Sequence, residues 1–225
     1  MTNLEAQSLD ERWQAFQKLP QLRNHWWWRP GWQVGRSYYT WHVTFERAEL
    51  LHRLTERLQA SISTIVVDPV PMEGLHLTMQ GVGFTHDVSD DDLAAIVEAT
   101  RVRCQTVAAF SLTLGPVDPD AEGVGLLVAP WQPVIDLRLA VRAAIADVWG
   151  SDQVPDPEDG YRPHVTVAYS NSDASPAELA AVLVPLRTEP PVTVSVPAVQ
   201  LIKLNRDHKV YQWDVVASVA LRRSD

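Results

Sequence analysis

Leu75-His76-Leu77-Thr78-Met79 and Pro163-His164-Val165-Thr166-Val167 share one pattern: a histidine and a threonine two residues apart, with apolar residues between and after them. Both lie in runs that read as β-strands, where residues i and i+2 leave the same face. His76 and Thr78 therefore point one way and Leu77 and Met79 the other; His164 and Thr166 are split from Val165 and Val167 in the same manner. The apolar set can enter a core, which leaves an imidazole and a hydroxyl together on an open face. Two such strands bordering one cleft offer two imidazoles and two hydroxyls to a single small ligand.

That set suits a phosphoryl centre. In-line displacement at phosphorus needs a base for the attacking oxygen and an acid on the opposite side for the leaving one, and histidine serves either role near neutral pH. The threonine hydroxyls can donate to the non-bridging oxygens, where charge accumulates. Nothing in this arrangement requires a metal. The triplet alone is weak: 7 His among 225 residues, with the threonines present, give roughly 0.4 His-x-Thr by chance, against three observed, the third being His42-Val43-Thr44. Its weight comes from strand context and from a repeat in the order of elements.

Working outward, the first half reads as a strand over Arg36 to Glu46, a helix over Ala48 to Gln59, a loop with a short extended piece over Ser61 to Gly74, and the first motif strand over Leu75 to Phe84. A helix follows from Ser89 and Asp90 toward Arg103, then a strand over Phe110 to Leu114. The second half repeats the order, with a strand over Gly123 to Val128, a helix over Pro133 to Val148 and the second motif strand over Arg162 to Tyr169. A helix capped by Ser175-Pro176-Ala177-Glu178 runs to about Leu186, and strands over Val192 to Leu204 and Val210 to Leu221 close the chain. The expected fold is α+β: a bilobal, pseudo-twofold duplication of a β-α-β-α-β unit, with antiparallel sheets around a central cleft. Lobe one spans about 36–115 and lobe two about 123–221, within a single domain over 36–221. The motif separation, 164 − 76 = 88 residues, is then the length of one lobe. His42 has its counterpart near Leu126 and no symmetric histidine, so it reads either as a strand residue with a satisfied hydrogen bond or as a cleft contact.

Residues 1–35 form an extension. Ser8-Leu9-Asp10-Glu11 is a capping box, and Leu9, Trp13 and Phe16 continue at helical spacing to about Leu19-Pro20. His25-Trp26-Trp27-Trp28-Arg29-Pro30-Gly31-Trp32 follows as an aromatic loop with Arg23 and Arg36 nearby. Such a loop can stack a base and hold a phosphate; tryptophans laid over the core are the plainer expectation.

A net charge of −9 argues against a protein that coats long nucleic acid, but allows a short nucleotide or an RNA end in a local basic pocket. One cysteine, Cys104, excludes an internal disulfide framework and fits a reducing compartment. No basic segment followed by an apolar run opens the chain, and no apolar stretch reaches transmembrane length, so a cytoplasmic protein without a membrane partner is expected. There is no H-E-x-x-H among the histidines at 25, 42, 52, 76, 86, 164 and 208, and the sole cysteine cannot build a thiolate site. No metal or cofactor is expected. Lys203, Arg206 and Lys209 near the last hairpin read as binding residues or, the plainer expectation, as charges solvating a turn.

The paired His-x-Thr-x motifs, the lead-in Tyr161-Arg162-Pro163-His164 and the bilobal order resemble the 2H phosphoesterase superfamily, and within it the bacterial 2′-5′ RNA ligase and 2′,3′-cyclic phosphodiesterase group. The resemblance covers roughly Tyr38 to Val216. It implies a metal-independent enzyme that opens 2′,3′-cyclic phosphates of RNA 3′ ends or small cyclic nucleotides to 2′-phosphates, with reversible joining of RNA ends through 2′-5′ bonds as a further activity. It implies His76 and His164 as the acid/base pair, Thr78 and Thr166 as phosphate-oxygen donors, and Tyr161, Arg162 and Tyr211 as substrate contacts beside the cleft contact already read for His42. Gln80-Gly81-Val82-Gly83 departs from the more apolar continuation usual in the family. A non-catalytic module that binds RNA ends or nucleotides, and a 2H enzyme for another small phosphoester, are the alternatives.

Overall fold

In the computed structural model, which describes residues 8–62 and 66–223, two antiparallel sheets carry the two motifs. Strands β1 (Tyr38–Thr44), β3 (His76–Phe84), β8 (Ala198–Asn205) and β9 (Gln212–Ala220) form one sheet in the order β3-β1-β8-β9. Strands β2 (Val67–Pro69), β4 (Phe110–Asp120), β5 (Gly123–Ala129), β6 (Val165–Ser170) and β7 (Val192–Val196) form the other in the order β2-β6-β5-β4-β7. The α+β bilobal duplication is plain in these orders, because β6-β5-β4-β7 matches β3-β1-β8-β9 position by position.

The match reveals an exchange. β4 closes the first sequence repeat yet lies in the second sheet, and β8, late in the second repeat, takes the equivalent place beside β1 in the first. Neither sheet is therefore built from one half of the sequence alone. The run read as a single strand over Val192 to Leu204 makes this possible: Val192–Val196 pairs with β4, Pro197 interrupts the ladder, and Ala198–Asn205 pairs with β1. β4 also runs beyond Leu114 to Asp120, through Pro116 and Pro119. These prolines lie past the end of the β7 ladder, where only the β5 side is paired.

Among the described residues, five α-helices cover the outer faces. They are α1 (Leu9–Gln17), α2 (Glu49–Ile62), α3 (Asp90–Cys104), α4 (Gln132–Trp149) and α5 (Pro176–Leu183). The reciprocal capping box of α1 is formed, Ser8 Oγ accepting from Glu11 N at 3.2 Å and Glu11 Oε2 from Ser8 N at 2.8 Å. α5 stops short of Leu186 and gives way to a 3₁₀ turn over Pro185–Thr188. Trp41, Leu77, Met79, Val165 and Val167, the inward residues of the motif strands and their neighbour, are essentially inaccessible. β5 and β6 approach so closely that a Cβ on Gly123 would lie 2.4 Å from the Ala168 carbonyl oxygen. Gly123→Ala should therefore lower stability by about 1–3 kcal/mol in urea denaturation; an unchanged midpoint would show that the ladder yields freely. Among the described residues no helix is long and apolar enough to cross a membrane.

Candidate active site

Both motif strands carry a register shift directly after the threonine. On β3, His42 pairs with Thr78 but Trp41 pairs with Gln80, so Met79 is an extra residue. On β6, Gly125 pairs with Thr166 but Val124 pairs with Ala168, so Val167 is extra. A bulge re-aims the side chains beyond it. Past Thr78 the residue on the cleft face is thus Gly81, opposite Thr40, while the buried Gln80 turns toward α4 and accepts from Arg142 Nη1 at 2.8 Å. Past Thr166 it is Tyr169, opposite Gly123.

The two histidines are held alike. Nδ1 of His76 donates to the Gly74 carbonyl at 2.7 Å and Nδ1 of His164 to the Arg162 carbonyl at 2.9 Å, each two residues upstream. A carbonyl can only accept, so the ring proton sits on Nδ1. Nε2 of each ring is left without a hydrogen-bond partner among the described residues. Both rings line one cavity of about 440 Å³, together with Thr78, Thr40, His42 and Tyr211. His164 also lines an adjoining cavity of about 450 Å³ with Thr166, Arg162 and Glu122.

Their surroundings differ. Burial pushes the His76 imidazole down to about 4, with the His164 charge adding to the effect and the Gly74 hydrogen bond opposing it. His42 stacks on His76 with centroids 4.4 Å apart and planes 3° from parallel, and Trp213 meets both rings edge-on. His164 is exposed to the cleft. His42 is itself buried, its pKa pushed well below the ordinary value by burial and by His76. Its Nε2 reaches Thr78 Oγ1 at 3.4 Å, while its Nδ1 is buried without a partner. His42 thus lines the cavity, packs against His76 and lies behind Thr78. In the other lobe the residue behind the threonine is Tyr169, which hydrogen-bonds Thr166.

Of the other residues singled out in the sequence, Tyr211 lines the cavity, its hydroxyl 2.9 Å from His25 Nε2. Tyr161 donates to the Thr78 carbonyl at 2.8 Å, which ties the lead-in of one motif to the strand of the other. Arg162 is committed to the buried Asp118 carboxylate, shared with Arg12, and approaches Asp120 at 3.7 Å.

The aromatic extension supplies part of the wall. Trp26 lies over the core; Trp27 and Trp28 are exposed, and His25, Arg29, Pro30 and Trp32 line the main cavity. His25 stacks on Tyr169 at 3.9 Å and contacts Glu122 at 3.1 Å, and Arg29 donates to the same carboxylate at 2.6 Å. Burial would raise the Glu122 carboxyl, but His25 and Arg29 hold it at about 2. Arg206, expected on a solvated turn, is buried; it donates to the His25 and Trp27 carbonyls and lies against Trp26, Trp32 and Tyr211. Cys104 is buried in α3 and its thiol is pushed up to about 11, an inert environment. Among the described residues no three or more His, Cys, Asp or Glu converge as a metal-holding group.

A family model described as the 2′-5′ RNA ligase superfamily matches residues 56–208, more than half of the chain. Similar solved structures include TT0787 of Thermus thermophilus, at 19% identity and a TM-score of 0.61, the alignment covering 84% of this chain and 100% of that one. They also include E. coli LigT complexed with 3′-AMP, at 19% identity and a TM-score of 0.58 over 83% of this chain and 99% of LigT. At these identities the likeness is one of fold. No curated protein sequence matches the chain.

Proposed function

Because the chain belongs to the 2′-5′ RNA ligase superfamily, we propose that it is a two-histidine phosphodiesterase that opens 2′,3′-cyclic phosphates at RNA ends or on nucleotides to 2′-phosphates. The observation that carries this reading is the matched pair of Nδ1 hydrogen bonds, which leaves two Nε2 atoms free at one cavity. His76, kept neutral by its surroundings, suits the base: its Nε2 takes the proton of the attacking water as the new P–O bond forms. His164 suits the acid: its Nε2–H protonates O3′ as the P–O3′ bond breaks, leaving the phosphate on O2′. Thr78 and Thr166 donate to the non-bridging oxygens. With a 5′-hydroxyl in place of water the same step forms a P–O5′ bond as P–O3′ breaks, giving a 2′-5′ ligation whose reversal exchanges the roles of the two histidines. LigT has been crystallised with 3′-AMP, and a nucleotide of that size suits the cavity of about 440 Å³.

The test is turnover of a 2′,3′-cyclic-phosphate-terminated oligonucleotide in EDTA, with the product identified as a 2′-phosphate. Folded protein that binds the oligonucleotide without turning it over would favour a binding module. The pH profile carries a sharper expectation. His76 must be neutral to accept a proton and charges only below about 4, so kcat/KM should stay on its plateau through pH 5 and fall tenfold per unit below about 4. An acid limb near 6.5 would mean that His76 is not the base.

A further inference from the structure

We propose that Asp156 selects the nucleobase of the substrate, favouring bases that carry an exocyclic amino group; this rests on the cyclic-phosphate reading above and extends it to base identity. The bulge after Thr78 puts Gly81 on the cleft face, further along β3 than His76 and Thr78. The symmetric place in the other lobe is filled by Tyr169, which the extension's His25 covers. The absence of a side chain at Gly81 lets Asp156 in: a Cβ there would lie 2.8 Å from both Asp156 Oδ2 and the Tyr38 hydroxyl. Oδ2 of Asp156 accepts from the Gly81 N–H at 3.2 Å.

Asp156 is held deliberately. Its backbone is left-handed, φ 57°, a conformation that asparagine and aspartate tolerate best among residues with side chains. Its carbonyl accepts from Arg142 Nη1 at 2.7 Å; that same nitrogen donates to Gln80, whose own amide donates to the Pro155 carbonyl. The unusual polar residue after the first motif thus serves to hold this loop.

A carboxylate in a cleft for an anionic substrate repels the phosphate, so it must face a part of the ligand that carries hydrogen-bond donors. Trp32, Tyr38 and Phe84 line the same cavity, with centroids 5.0 to 5.9 Å apart. Flat aromatic walls with one carboxylate acceptor describe a site for a planar heterocycle bearing an N–H. An amino group at the base edge satisfies the carboxylate, whereas a carbonyl in its place meets like partial charge.

The discriminating pair is cytidine and uridine 2′,3′-cyclic phosphate, alike in size and different at one exocyclic group. The parent should prefer the cytidine ester by about 10- to 100-fold in kcat/KM, as expected of one hydrogen bond to a charged group. Asp156→Asn suits the left-handed backbone and should bring the ratio toward one; Gly81→Ala, which displaces the carboxylate, should do the same. Quenching of tryptophan fluorescence by 3′-CMP and 3′-UMP reads the subsite without chemistry. Discrimination in binding without turnover would uphold the subsite and overturn the hydrolytic reading. Turnover of both esters at equal efficiency, or a ratio unmoved in Asp156→Asn, would overturn the subsite and leave hydrolysis standing.

Discussion

His76→Ala and His164→Ala should each lower turnover of a cyclic-phosphate-terminated oligonucleotide by about 10²- to 10⁴-fold, with little change in the unfolding midpoint. The double variant should be scarcely worse than either single one, because base and acid act on one transition state. The two are distinguishable by leaving group. A phosphodiester with a nitrophenolate leaving group needs no acid, so it should restore much of the activity of His164→Ala and none of that of His76→Ala. Rescue of His76→Ala instead would exchange the roles assigned here. Parental turnover in either variant would end the two-histidine mechanism.

Arg206→Ala should lower the free energy of unfolding by about 2–4 kcal/mol, since the guanidinium is buried and its removal strips a charged donor from two carbonyls. It should also raise KM. The His25 and Trp27 carbonyls that Arg206 holds belong to the segment that places His25 and Arg29 against the cleft. Arg206→Lys should fall between, because an ammonium cannot reproduce the planar packing against Trp26, Trp32 and Tyr211. Urea denaturation and steady-state kinetics on the three proteins decide it. An unmoved midpoint would show that the extension holds without this residue.

Alternation and capping made most elements readable, because strand period, the Ser8–Glu11 box and the Ser175-Pro176 start are local signals. The strand exchange was not readable in the same way. It depends on which partner an apolar segment finds, and the one local clue was Pro197 inside an otherwise continuous run. At the site, the His-x-Thr pairs announced themselves by spacing, whereas the bulges did not: one extra residue changes facing without changing composition. Hence Gly81 and Tyr169, rather than Gln80 and Ala168, face the cleft. Arg206 misled for a related reason, since a charge beside a turn looks solvated until the aromatic segment that covers it is in place. Tyr161 and Arg162 sit beside the site with the Tyr161 hydroxyl and the Arg162 guanidinium engaged by the protein.

The exchange of β4 and β8 between the sheets also bears on how the molecule can move. In a hinged enzyme two halves joined by a single linker swing apart to admit substrate. Here the chain passes between the sheets four times, from β1 to β2, β2 to β3, β3 to β4 and β7 to β8, so no single linker can serve as the hinge. The two imidazoles stand on strands of different sheets, so their spacing is set by how those sheets pack over the shared core. Assembly of the fold must wait for pairings between distant parts of the chain, β1 with β8 above all, so slow folding is the expected companion of this exchange.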